Sequence, residues 1–148
     1  MVTALYADTS AVVGAFLADE PGHADLRELL LSGRHRVLTS ELTRVEFASA
    51  MTAAKRTGRI PDGRQFLNQF DEDARTGLLG VIPLVASRIL PAARRLVMDN
   101  HPLRTLDAIH LAVALNDTAA LTDGEPIVMV TRDQRQADVA KAHGLEVR

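Results

Sequence analysis

Five short apolar runs, each separated from the next by a stretch of helical character, constrain this chain more than any other feature. They are "VTALYA" (2–7), "HRVLTS" (35–40), "GVIPL" (80–84), "PIVMVT" (126–131) and "LEV" (145–147). Strands joined through helices do not pair as hairpins, because a crossover returns each strand parallel to the last. The expected class is therefore α/β, a sandwich of helices on a parallel sheet. The helical stretches fall at 10–17, capped by Thr9 or Ser10, and at 22–31, ending near Gly33. The next covers 41–57, capped by Ser40 and stopped by Gly58. Pro61 opens another that reaches residue 75, and a further one covers 87–99. A turn at Asn100, His101 and Pro102 leads into a helix ending near 115. The last stretch is 133–143, with Gly144 just past its C-terminus. Residues 116–126 read as a polar loop.

The 148 residues suffice for one domain, 1–148, with its own core, and 47% apolar content excludes a disordered chain. There is no cysteine, which rules out disulfides and thiolate metal sites. No basic segment leads into a long apolar one at the N-terminus, and no run is long enough to span a bilayer. A cytoplasmic protein without a membrane partner is expected. The net charge of −2 gives no global field for nucleic acid. Of the 17 basic residues only Lys55 and Lys141 are lysine, and arginine suits bidentate phosphate contacts. Aromatic residues are too few for a base-stacking platform.

Four carboxylates stand where a surface residue would not. Asp8 directly follows the first strand, and Asp133 follows the fourth by one residue. In open α/β sheets ligands bind outside the carboxyl ends of the strands, although either residue could simply cap a helix. Glu46 is centred on an apolar helical stripe with Leu42, Val45, Ser49, Ala50 and Ala53, where the bland explanation is a buried pair with an arginine. Asp107 lies in "LRTLDAIHLA", a helix apolar almost all round; with Thr105 as cap, it would serve the helix dipole. Four such groups from four segments suggest one site for a hard cation, Mg²⁺ or Mn²⁺, as used in metal-assisted phosphoryl transfer.

The stretches "YADTSAVV", "SELTRVEFASAM", "LRTLDAIHLAVAL" and "VTRDQRQADVAKAHGL" resemble, in order, the PIN-domain ribonucleases, and most closely the VapC-type toxins of toxin–antitoxin pairs. The resemblance implies a three-layer α/β/α sandwich with a central, mainly parallel sheet. It places Asp8, Glu46, Asp107 and Asp133 as the catalytic, metal-holding acids, with Thr9, Ser10 and Thr131 as supporting hydroxyls. It further implies an endoribonuclease that uses Mg²⁺, with Mn²⁺ as a substitute, to hydrolyse RNA with a metal-activated water. Such proteins commonly form homodimers and are silenced by a cognate antitoxin, whose tail often places an arginine or lysine in the acidic pocket. Arg132 stands where relatives often carry an aromatic or apolar residue. Arg104, Arg132 and Arg135 are candidate RNA phosphate contacts.

Other readings fit less well. A dehalogenase-type phosphatase needs a second aspartate where Ser10 stands, and a receiver domain needs a lysine after a late strand, whereas Lys55 and Lys141 fall in helical segments. His110 reads as a hydrogen-bonded histidine near the core more readily than as a general base. Asp71, Glu72 and Asp73 read as a solvated helix face. A catalytically silent scaffold that binds RNA or a protein partner is the alternative function. All four acidic positions being filled speaks against it.

Overall fold

The computed structural model describes residues 3–148, so Val2 of the first apolar run lies outside the described residues. In chain order the elements are β1 (Ala4–Ala7), α1 (Thr9–Phe16), α2 (His23–Leu31), β2 (Arg36–Ser40), α3 (Leu42–Arg56), α4 (Arg64–Thr76) and β3 (Leu79–Ile82). Then follow α5 (Ala86–Asp99), α6 (Thr105–Asn116), a 3-10 turn (Ala119–Leu121), β4 (Ile127–Val130), α7 (Gln134–Ala142) and β5 (Glu146–Val147). The strands form one parallel sheet in the order β3-β2-β1-β4-β5. This is a PIN-like three-layer α/β/α arrangement, as the sequence led one to expect.

Because successive strand residues face opposite sides, each strand feeds two cores. Leu5, Ala7, Val37, Leu79, Val128 and Val130 pack beneath α1–α4, around Phe16, Phe47 and Phe70. Tyr6, Leu38, Ile82 and Met129 pack beneath α5–α7, around Ile89, Leu96 and Leu111. Burial on both faces explains why the strands read as continuous apolar runs rather than alternating ones.

Strand order sets the site. From β1 the chain winds outward through β2 to β3, then returns to lay β4 on the other side of β1. The winding direction therefore reverses between β1 and β4, and their carboxyl ends flank the crevice where such sheets bind ligands.

Several local expectations need correction. The cap of α1 is Asp8, not Thr9 or Ser10: its side chain accepts from the Ala11 amide at 3.0 Å. The residue preceding α6 is Arg104, and Thr105 is already helical. The third strand begins one residue early and ends before Pro83, which has no N–H to give to a ladder. The core stripe of α3 is Thr43, Phe47, Met51 and Ala54, leaving Val45 71% exposed. Asp71 and Glu72 are solvated and paired with Arg44 and Arg75, but Asp73 is buried and accepts from Gln69 Nε2 at 2.8 Å.

Candidate active site

A hollow of about 530 Å³ opens at the carboxyl ends of β1 and β4. Asp8, Glu46, Asp107 and Asp133 all line it, together with Thr9, Ser10, Arg104, His110 and Arg132. Ser49, Ala50 and Ala53 of α3 continue its wall, and their small side chains keep it open. Thr131 reaches the site through Asp8 rather than lining it. Arg135 is exposed on α7 and lines neither this hollow nor its neighbour.

Asp8 combines two roles that the sequence left as alternatives. It caps α1 and also faces the hollow. Ser10 Oγ donates to its Oδ1 at 2.7 Å, and Thr131 Oγ1 donates to its Oδ2 at 2.6 Å. Only 3% of it is exposed, and burial pushes its carboxyl above the ordinary range, against those hydrogen bonds and the nearby His110. The same hydroxyls fix the neighbouring loop: Ser10 Oγ accepts from the Arg132 amide at 2.9 Å, and Thr131 Oγ1 from the Asp133 amide at 3.1 Å.

Glu46 pairs with a histidine where an arginine was the bland expectation. Its Oε1 lies 2.6 Å from His110 Nε2 and accepts from Thr9 Oγ1 at 2.7 Å. Burial resists its ionisation, but the His110 and Thr9 contacts outweigh it and hold the carboxyl below the usual range. The other ring nitrogen, Nδ1, stands 2.8 Å from the Tyr6 hydroxyl. Burial keeps that phenol protonated, with the charges of Asp8 and Glu46 adding to the effect. The network thus assigns the hydrogens: Tyr6 donates to Nδ1, and Nε2–H donates to Glu46. A hydroxyl ladder backs the same corner, with Thr39 Oγ1 2.8 Å and Thr9 Oγ1 3.2 Å from Thr43 Oγ1.

Asp107 and Asp133 share one counter-charge. Arg104 Nη2 donates to Asp133 Oδ2 at 2.8 Å, and its Nε to Asp107 Oδ2 at 3.3 Å. Burial raises the Asp107 carboxyl, and the charges of Asp133 and Asp8 add to the rise while Arg104 opposes it. Asp133 caps α7 by accepting from the Gln136 amide at 3.1 Å. That bond and Arg104 hold it below the usual range despite its burial. Gln136, fully buried, donates from Nε2 to the Asp107 carbonyl at 2.8 Å and so ties α7 to the start of α6.

Among the described residues, no three His, Asp or Glu side chains are already drawn together as a bound metal ion would hold them. The oxygens are already engaged, two carboxylates by hydroxyls and His110, and two by Arg104. The donors fit Mg²⁺ or Mn²⁺ in kind, being all oxygen. A guanidinium standing between two carboxylates marks the spot as one that already requires a cation.

Sequence reasoning missed Tyr6 and Gln136, and it read His110 as a hydrogen-bonded histidine near the core without its partners. Both missed groups are polar residues inside apolar or helical runs, and nothing local shows that they meet residues far along the chain.

Residues 5–142 match the PIN domain family. In three dimensions the chain is similar to a solved toxin–antitoxin complex from Klebsiella pneumoniae, with a TM-score of 0.53 and 20% identity, over 90% of this chain and 89% of that chain. At that identity the likeness speaks for the fold. No curated protein matches the sequence.

Proposed function

The chain belongs to the PIN domain family, and we propose that it is a Mg²⁺-dependent endoribonuclease acting as the toxin of a toxin–antitoxin pair. The observation that carries this reading is the meeting of Asp8, Glu46, Asp107 and Asp133 in one hollow at the sheet's switch point. Those four acids are the proposed catalytic and metal-holding residues, supported by Thr9, Ser10 and Thr131. The chemistry that a bound Mg²⁺ or Mn²⁺ supplies is a lowered pKa for water and relief of charge on the scissile phosphate. The chain's own groups hold the acids in register. Ser10 and Thr131 orient Asp8, while Thr9 and His110 orient Glu46. Arg104, once released from Asp107 and Asp133, can contact phosphate, as can Arg132 at the rim. Arg135, the third candidate RNA contact, lines neither hollow.

The whole chain, 1–148, acts in this reading as a single nuclease domain in the cytoplasm. Among the described residues no helix is long and apolar enough to cross a membrane. The partners are RNA, a cognate antitoxin and a second copy of the chain. The structural neighbour, itself a toxin–antitoxin complex, supports the antitoxin.

The test is cleavage by the purified protein, freed of any companion. RNA should be cut with Mg²⁺ or Mn²⁺ and spared in EDTA, and the products should carry 5′-phosphate and 3′-hydroxyl ends. Cutting that persists in EDTA and leaves 2′,3′-cyclic phosphates would sink the reading. Tight RNA binding without cutting would favour the silent scaffold.

A further inference from the structure

A second hollow, of about 270 Å³, adjoins the acidic one and shares Arg132 and Asp133 with it. Its character is opposite. Arg132, Lys141 and Arg148 line it, and Asp133 is the only acidic side chain among its lining residues. That carboxylate is already answered by Arg104 on one oxygen and by the Gln136 amide on the other. Arg132 and Lys141 form no ion pair among the described residues, and Arg148 keeps only a 3.7 Å contact with Glu146. Arg132 and Lys141 are therefore left without a paired acid among the described residues.

Their backbones are fixed. The Arg132 amide donates to Ser10 Oγ at 2.9 Å. Lys141 lies in the last turn of α7. Arg148 is bound to β4, donating to the Met129 carbonyl at 2.9 Å and accepting from the Thr131 amide at 3.2 Å. No aromatic side chain lines the hollow, so it offers charge and no stacking surface.

Resting on the nuclease reading, we infer that this basic hollow holds a phosphate of the RNA backbone next to the one being cut. The acidic hollow repels a polyanion unless cations fill it, so affinity for the strand must come from elsewhere. A basic hollow sharing a wall with it supplies that affinity and sets the strand's direction across Asp133. Recognition by charge alone makes this contact indifferent to base identity.

The experiment is binding of a labelled single-stranded RNA with Ca²⁺ in place of Mg²⁺, with the RNA checked on a gel for cuts. The protein is compared with Lys141→Gln/Arg148→Gln, and with Arg34→Gln/Arg36→Gln as a charge-matched control. Arg34 and Arg36 are exposed at the opposite end of the sheet, and all four substitutions leave the buried core untouched. The first variant should bind several-fold more weakly, and each lost contact should flatten the dependence of log affinity on log salt by about 0.7. The control should match the wild type, and millimolar sulfate, a phosphate mimic that leaves Ca²⁺ in solution, should displace RNA no better than chloride at equal ionic strength. Equal binding by Lys141→Gln/Arg148→Gln and the control overturns the inference, as does a wild type that binds no RNA. Displacement specific to sulfate overturns it too, in favour of a free-phosphate pocket. Cleavage with Mg²⁺, scored separately, judges the nuclease reading. RNA bound through these cations and never cut supports the basic hollow while removing the nuclease.

Discussion

Asp107 sits in the first turn of α6, where a carboxylate ordinarily gains from the helix dipole, yet burial and the charges of Asp133 and Asp8 disfavour its ionised form. The two effects predict opposite outcomes for Asp107→Asn. If the dipole dominates, the substitution costs about 0.3–1 kcal/mol. If the cluster dominates, the metal-free variant melts at or above the wild type at neutral pH. The pH dependence follows from the raised carboxyl. The folded state holds that proton more tightly than the unfolded chain, so its contribution is full below the ordinary carboxylate range and is lost as pH rises through the raised value. The variant should therefore gain on the wild type as pH climbs and lose the advantage in acid. Mg²⁺-induced stabilisation and cleavage should both shrink. A variant that melts lower without metal yet keeps its Mg²⁺ shift and activity refutes the cluster. Arg104 supplies a second test. Its guanidinium occupies two of the four acids, so a divalent cation must compete with it. Arg104→Gln should lower the Mg²⁺ concentration needed for half-maximal thermal stabilisation, while weakening RNA cleavage if the freed arginine serves phosphate. An unchanged Mg²⁺ midpoint would show that the guanidinium does not contest the site.

At the scale of elements, the Tyr6–His110–Glu46 chain joins the two helical layers: β1 below, α6 on one side, and α3 reaching in from the other. His110→Leu strips the buried Tyr6 hydroxyl of its acceptor and Glu46 of a donor. The cost should be about 1–3 kcal/mol in urea unfolding. Tyr6→Phe should cost less, and the double variant should cost less than the sum, because the contacts are shared. Strict additivity would mean the chain is not a working unit. This connection also marks the limit of what the sequence made legible. Strand and helix order followed from apolar runs and from helix stops such as Gly58 and Gly144, which are local signals. The four acids were legible because each violated a local pattern. His110 was legible as a hydrogen-bonded histidine near the core, but its partners lie 104 and 64 residues away and no local pattern names them. Glu46 was found through a stripe drawn too wide: Val45 belongs to solvent, and the true core face passes through Phe47. The α3 face carrying Glu46 is a pocket wall, which a hydrophobicity pattern cannot tell from a core contact.

Taken as a whole, the molecule carries a slight net negative charge, and as the proposed ribonuclease it has to engage a polyanion. Its acidic hollow opposes RNA on its own, so occupancy of that hollow by cations and by RNA must be positively linked. Linkage is reciprocal: whatever divalent ions do for RNA affinity, RNA does for divalent-ion affinity. RNA should bind more tightly with Ca²⁺ than in EDTA at matched ionic strength, even though added salt alone weakens such binding. A basic peptide should show the reverse sign. An arginine-rich segment placed in the hollow would take the position Arg104 now holds between Asp107 and Asp133, and would compete with divalent ions for the same oxygens. The antitoxin proposed above should use such a segment. A short neighbouring reading frame should therefore encode a protein that binds tightly, stops RNA cleavage, and loosens measurably as Mg²⁺ is raised at constant ionic strength. Calorimetry of that complex across a Mg²⁺ series reads the sign directly. Affinity that is indifferent to Mg²⁺ would place the inhibitor's grip on another surface, and a chain harmless to cells when expressed alone would remove the need for an inhibitor at all.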